Sequence, residues 1–385
     1  MGLLCAMGSS PNTIKKNLIE KQLNLTQTDD FSLDTVWPLG LYQGELPAIP
    51  LSEKKWKSRN NQFALAALKQ IEPEITAAIE QFGAHRVGVI IGTSTSGISD
   101  SEPAISEWLV TGEVPKRYDY GLQEMGATAN FVAKVLGLHG PAYGISTACS
   151  SGAKALAAAK RQIDLGVCDA VIAGGVDTIC QLTVQGFASL QALSDKSCNP
   201  FSVNRKGINI GEGAALFLVT GQTKGVELVG YGESSDAYHI SAPDPMGNGA
   251  IKCMTAALDD AGIEAKEVGY VNLHGTATAL NDQMEALAMN KVFGAHTLCS
   301  STKPFTGHTL GAAGAVEAGI CWLMLSSVGG EKFLPFHIWD GVKDPDLPEI
   351  NLVTTDVTLD GPIRYVLSNS FAFGGNNVSL LLGRV

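Results

Sequence analysis

The succession strand, polar turn, helix, strand between residues 142 and 176 constrains this chain more than any other feature. Ala142-Tyr143-Gly144-Ile145-Ser146 reads as a strand. Thr147-Ala148-Cys149-Ser150-Ser151-Gly152 is a tight turn of small residues. Ala153 to Leu165 is rich in alanine, which loses no side-chain entropy in a helix, and carries Lys154, Lys160 and Arg161. Ala170 to Val176 is a continuous apolar run of the kind a strand buried on both faces requires. That order is a βαβ unit, so the expected fold class is α/β.

Similar signals recur. Val87 to Gly92 is a buried strand feeding the Gly92-to-Gly97 loop. Helices are expected over 13–22, over 59–79 with a break near Pro73, and over 122–136. A second half begins near Thr220–Gly225, with strands at Val226–Tyr231 and Val268–Leu273 and helices over 249–261, 282–292 and 311–327. Strands at Tyr365–Ser370 and Val378–Leu382 end the chain. Two similar domains, 1–222 and 223–385, are expected to face each other. At the start, Gly2 to Ser9 reads as the turn after a strand that is almost missing, which points to a late start or a truncation.

Composition excludes several classes. The 385 residues are 45% hydrophobic and 17% charged, which suits a large buried core and not a disordered chain. Net charge is −11, against nucleic-acid binding; contact with an acidic partner would need a local basic patch. The eight cysteines (Cys5, Cys149, Cys168, Cys180, Cys198, Cys253, Cys299 and Cys321) form no CxxC pair, so metal and redox motifs are unsupported and reduced, cytoplasmic thiols are expected. No secretory leader is recognised, and no apolar run reaches the ~18 residues of a membrane span.

Three turns carry candidate chemistry. Cys149 lies between a strand and a helix, where the helix dipole would lower a thiol pKa. The turn by itself is equally compatible with a buried structural cysteine. His274 follows the apolar Val271-Asn272-Leu273 and precedes Gly275. His308 lies in Lys303-Pro304-Phe305-Thr306-Gly307-His308. Strand ends are where α/β proteins place functional groups, although a single turn histidine is more often a hydrogen-bonded surface residue. His85, His139, His239, His296 and His337 lack such settings. Phe371-Ala372-Phe373-Gly374-Gly375 offers backbone N–H groups of the sort that hold an oxyanion, or an ordinary turn before the last strand.

Together, in order and spacing, Thr147–Ser151, His274-Gly275-Thr276, Lys303–His308 and Asn369–Gly375 resemble the motifs of elongating β-ketoacyl-ACP synthases of types I and II. The segments Ser235–His239 and Gly211–Ala215 do so too, and the resemblance spans residue 2 to the end. It implies the thiolase-type fold: two pseudo-symmetric halves in five αβαβα layers, commonly dimeric. It further implies that Cys149 takes an acyl chain from acyl carrier protein (ACP). Malonyl-ACP then loses CO₂ and attacks that thioester. By motif, His274 and His308 hold the enolate oxygen, the N–H groups of Cys149 and Phe373 form the second oxyanion hole, and Phe373 beside Phe371 is the gate. Lys303 orders the site, Glu317 is its acidic partner, and Asp282 is the acid eight residues after the first histidine. Lys54, Lys55, Lys57 and Arg59 fall where related synthases dock the carrier protein, although a solvated face is the bland reading; Arg205 and Lys206 are weaker candidates. No organic cofactor or metal is implied, and Gly207–Gly213 has the wrong spacing for dinucleotide binding.

There are departures. Thr278-Ala279-Leu280-Asn281-Asp282 replaces the usual Thr-Pro-x-Gly-Asp, Ala372 replaces the gate's glycine, and Pro200–Arg205 lacks an Asp after the aromatic. They suggest a specialised polyketide or polyene pathway rather than bulk fatty-acid synthesis. Three alternatives remain in view. A thiolase-like CoA enzyme would need a second catalytic cysteine near the C-terminus, yet Cys321 is the last. A type III synthase would carry Asn at position 308. A non-catalytic chain-length subunit would lack the nucleophile. The chain is expected to pair with itself or with such a chain-length subunit.

Overall fold

Two mixed sheets organise the computed structural model, which describes residues 1–222, 225–326, 333–355 and 361–384. The first part of the chain forms β1 (Gly2–Cys5), α1 (Pro11–Ile19), β2 (Thr26–Thr28), β3 (Trp37–Leu39), α2 (Arg59–Lys69), α3 (Glu72–Phe82), β4 (Val87–Gly92) and α4 (Ile98–Thr111). It continues with α5 (Ala127–Leu136), β5 (Ala142–Ile145), α6 (Ser151–Asp164), β6 (Ala170–Asp177), α7 (Gln181–Ser189) and β7 (Gly213–Thr220). The second part forms β8 (Val226–Ser235), α8 (Asn248–Ala261), β9 (Val268–Asn272), α9 (Ala279–Phe293), β10 (Leu298–Ser300), α10 (Lys303–Thr306), α11 (Ala313–Leu325), β11 (Asn351–Leu352), β12 (Tyr365–Ala372) and β13 (Asn376–Arg384).

The first sheet has the order β1-β7-β6-β4-β5 and the second β8-β13-β12-β9-β10-β11. Each begins with two antiparallel pairings and continues with parallel ones. One topology is thus used twice, by residues 2–220 and by residues 226–384. The expected boundary at 222/223 falls against residues outside the described ones, as does position 327 of the expected last helix.

Helices and sheets alternate as five layers. On the outside, α2 packs on β1 and β7, and α5 on β4 and β5. In the middle, α6 and α11 lie against each other between the sheets. On the far side, α8 covers β8 and β13 with α9 beside it. The middle layer explains the alanine-rich sequence of α6. A Cβ on Gly314 would lie 2.7 Å from the Cβ of Ala153, and one on Gly152 2.9 Å from that of Ala315. Only small residues let the two helices approach so closely.

The start of the chain differs from expectation. Gly2–Cys5 is the first strand itself, fully buried, and pairs with β7 in the register Leu3↔Ala215. The turn comes next, closed between Cys5 and Gly8. The expected helix over 59–79 is two helices: α2, capped by the Ser58 hydroxyl, and α3, which opens with Pro73 in its first turn. Between α1 and α2, β2 and β3 form a small hairpin.

Candidate active site

Each candidate group follows the C-terminal end of a sheet strand: Cys149 after β5, His274 after β9, His308 after β10, and Phe373 after β12. The pseudo-repeat makes the turn before α6, with Cys149, equivalent to the turn before α11, with His308. Strand ends on the same side of two facing sheets converge, and these do.

The nucleophile turn is held by its own serines. The Ser151 hydroxyl accepts from Thr147 N at 2.9 Å and donates to Ala148 O at 2.6 Å, while that of Ser150 donates to Thr147 O at 2.8 Å. Ala148 sits at φ 52°, a left-handed conformation that costs about 1–2 kcal/mol for a residue with a Cβ. These bonds keep it there. The expected lowering of the thiol pKa is not found. Burial pushes the Cys149 thiol up to about 12, against the downward pull of Lys303 and the Phe373 N–H, which bonds the sulfur. Desolvation outweighs the helix end because Cys149 is 6% exposed.

His308 Nε2 lies 3.1 Å from Cys149 Sγ. The His274 ring stands edge-on to His308 at a centroid distance of 5.3 Å. Burial, reinforced by Lys303, depresses both histidines well below their ordinary value, so both are neutral at pH 7. Lys303 is 1% exposed. Its Nζ donates to Glu317 Oε1 at 2.5 Å, to the His274 carbonyl, and toward His274 Nδ1 at 3.5 Å. An ammonium cannot accept, so Nδ1 must, and the proton of His274 then sits on Nε2. Burial holds the Glu317 carboxyl above its ordinary value, partly offset by Lys303. His308 Nδ1 has no partner among the described residues, leaving its Nε2 free to take or give a proton.

Two buried acids that sequence reasoning missed shape the turns. Glu285 accepts from His274 N and from Gly275 N, each at 2.7 Å, and burial raises it to about 7. Its signal was present: it lies one helical turn after Asp282 on α9. Asp282 does not reach the cluster. It accepts from Phe201 N at 2.8 Å, and burial raises it to about 6. Asp177, at the end of β6, accepts from Ser94 N, Thr95 N and the Thr93 and Ser94 hydroxyls, and from Gly311 N at 2.6 Å. It thus ties the His308 turn to the first sheet. No local signal marks a partner 134 residues away.

Phe371 is buried against His274, with ring centroids 6.1 Å apart. Phe373 is 38% exposed and stacks on Phe187 at 5.6 Å. Both line a cleft of about 410 Å³ that also holds Cys149, His274 and His308. The structure separates the expected docking residues. Lys54, Lys55 and Lys57 are exposed. Arg59 instead makes a two-pronged bond to the buried Glu212 carboxylate, with Nε to Oε2 at 2.9 Å and Nη2 to Oε1 at 2.5 Å. None of the four lines the cleft. The ligand atoms of Cys149, His274 and His308 lie within 4.8 Å of one another, a set that could hold a soft cation, although the Lys303 ammonium beside His274 opposes one.

Comparison with known proteins places the chain in a family. The model of the beta-ketoacyl synthase N-terminal domain matches residues 45–224, and that of the C-terminal domain residues 226–329. The chain is therefore a member of the beta-ketoacyl synthase family, an acyltransferase of the elongating type with the thiolase fold. A 3-oxoacyl-[acyl-carrier-protein] synthase 2 of Staphylococcus aureus is 33% identical over 406 residues, covering 99% of this chain and 98% of its own. A ketosynthase in complex with its chain length factor from Xenorhabdus doucetiae is 44% identical with a TM-score of 0.95, over 100% of this chain and 96% of that one. The ishigamide ketosynthase/chain length factor is 27% identical with a TM-score of 0.87, over 100% and 97%.

Proposed function

We propose that the chain condenses an acyl group carried on Cys149 with malonyl-ACP by a decarboxylative Claisen reaction. The observation that carries this reading is the convergence of Cys149 Sγ, both histidine rings and the Phe373 N–H in one buried cleft. In the first half-reaction Cys149 Sγ attacks the acyl-ACP thioester. The thiol proton passes to His308 Nε2 and from there to the departing pantetheine sulfur. A neutral thiol of high pKa needs such a base at contact distance. In the second half-reaction malonyl-ACP loses CO₂, and the enolate oxygen accepts from the Nε2–H of His274 and from that of His308, which adopts its Nε2–H tautomer for this step by proton exchange with solvent, its Nδ1 having no partner among the described residues that pins the proton there. The enolate carbon bonds the Cys149-bound carbonyl, whose oxyanion takes the Phe373 and Cys149 N–H groups. The C–S bond then breaks, and the Cys149 thiolate takes up one proton from solvent by way of His308 Nε2, which replaces the proton that left on the pantetheine sulfur. Lys303, Glu317 and Glu285 act as positioning residues, fixing the tautomer and backbone of His274.

A partner subunit is part of this reading. The four residues of β5 are all half-buried, and the strand is the unpaired edge of its sheet among the described residues. We place the second subunit there, either an identical chain or a chain length factor. The two ketosynthases solved with such a factor support the latter. The curated relative's name supports the carrier protein as substrate donor. The halves 1–222 and 223–385 act as the two domains whose strand ends build the site. A cytoplasmic setting fits the eight cysteines, all unpaired and buried. No helix among the described residues is long and apolar enough to cross a membrane. The product is a polyketide or polyene precursor, consistent with the departures at Thr278–Asp282 and Ala372. The test is a malonyl-ACP elongation assay over acyl-ACP primers of varied length and unsaturation, with and without a co-expressed chain length factor. Failure to release CO₂ from malonyl-ACP under either condition would overturn the reading.

A further inference from the structure

One acid outside the cleft holds a helix that lines it. α7 is thinly anchored: of its nine residues Val184 alone is buried. Its N-cap residue, Cys180, makes no side-chain bond to a first-turn amide among the described residues. The first turn of a helix leaves such amides without intrahelical partners. Two of them are met from another element. Glu102 of α4 accepts from Gln181 N through Oε2 at 3.0 Å and from Leu182 N through Oε1 at 2.8 Å. A carboxylate at that end also suits the helix dipole. α4 is itself fixed just before Glu102: Asp100 Oδ2 accepts from Arg59 N at 3.0 Å, and the Ser101 hydroxyl donates to Gly97 O at 3.2 Å. Beyond its other end α7 is tied by the Leu193↔Ile208 bridge, with Ile208 N donating to Ala192 O and Ser194 N to Ile208 O, both at 2.8 Å. The helix thus hangs from two attachments, and Glu102 is one of them.

What α7 carries makes its position matter. Phe187 and Leu190 line the cleft with Cys149, whereas Glu102 does not. The Phe187 ring stacks on Phe373 at 5.6 Å and 28°. Phe373 is 38% exposed and has little burial of its own to hold it, so the stack restrains it. The Phe373 N–H in turn bonds the Cys149 sulfur. A shift of α7 therefore reaches both the aromatic pair beside the nucleophile and the N–H on its sulfur. We propose that Glu102 is a positioning residue for Cys149: by capping α7 it sets Phe187 against Phe373, and so limits the size of group that reaches the sulfur. This rests on the reading of Cys149 as the acyl carrier and adds to it a residue outside the cleft.

The test compares alkylation of Cys149 by iodoacetamide and by the bulkier N-phenylmaleimide, each followed on the Cys149 peptide by mass spectrometry. Glu102→Ala is expected to raise the N-phenylmaleimide rate relative to the iodoacetamide rate roughly three- to thirtyfold, the weight of a helix cap. Glu102→Gln keeps one carbonyl acceptor and should show a smaller rise; it serves alone if Glu102→Ala does not fold. Phe187→Ala should raise the ratio too, and Glu102→Ala should add nothing to it in the double variant. An unchanged ratio in both Glu102 variants, or effects that add in the double variant, would overturn the proposal. Equal acceleration of both reagents would also overturn it, because that is what a general loosening of the fold produces. Absence of CO₂ release from malonyl-ACP with the ratio shift intact would uphold the role of Glu102 and count instead against the condensation reading.

Discussion

His308 Nε2 stands 3.1 Å from Cys149 Sγ, and the two residues reach this contact from equivalent turns in the two halves. The thiol is buried and its pKa is pushed up to about 12. Cys149 therefore rests as a thiol, and its reactivity depends on a base that accepts the proton during attack. Iodoacetamide alkylation of Cys149 should rise with pH through 7 to 10 without a plateau. A plateau near pH 7 would show a resting thiolate and remove the role given to His308 Nε2.

Cys149→Ala is expected to abolish the covalent acyl-enzyme, checked by intact-protein mass spectrometry after acyl-ACP exposure. His308→Ala should slow condensation about 10²- to 10⁴-fold, the usual contribution of a positioned acid or base. An acyl adduct on Cys149→Ala would move the nucleophile elsewhere.

Lys303 and Glu317 form a buried pair, 1% and 3% exposed at the side chain. Removing one partner strands a buried charge, so Lys303→Met should destabilise the fold by about 3–5 kcal/mol. Replacing both residues, Lys303→Met with Glu317→Leu, should recover much of this stability in chemical denaturation. It should not recover activity, because His274 Nδ1 has lost the donor that fixes its tautomer. Activity in the double variant would make Lys303 merely structural.

Glu285 has a raised pKa, about 7 folded against an ordinary 4.5, so the folded state binds its proton more tightly than the unfolded state. The stability it contributes is full below pH 4.5 and is lost as pH rises through 7. The stability of the wild type relative to Glu285→Gln should therefore fall between pH 5 and pH 8, as read from paired urea titrations. A difference that is flat or rises with pH would contradict the burial-dominated assignment.

Arg59 and Lys57 should part company under charge reversal. Arg59→Glu places a second carboxylate against Glu212, 0% exposed, and should lower the melting temperature markedly. Lys57→Glu lies on the exposed face and should leave the melting temperature within error while raising KM for the carrier protein. An unchanged KM would move the docking face away from the Lys54–Lys57 turn.

Local sequence determined the elements and the nucleophile turn. The Ala170–Val176 run, the alanine-rich helix after Cys149 and the glycine-flanked histidines each follow from propensity and periodicity within about ten residues. That is why β4, β6, α6, β12 and β13 lie close to where the sequence places them. The spacing of the motifs also resembled one family strongly enough to name the reaction. Only the tertiary structure decided the electrostatics. The turn before α6 argued for a lowered thiol pKa, but pKa depends on desolvation, and desolvation is set by residues brought in from the other sheet. For the same reason the sequence could not show that Arg59, read as a docking cation, also pairs with Glu212, 153 positions away. Asp177 carried no local signal because its partners, the amides and hydroxyls of residues 93–95 and the Gly311 amide, come from distant turns, and the position of Glu285 on α9 did not show that the His274 and Gly275 amides would point at it.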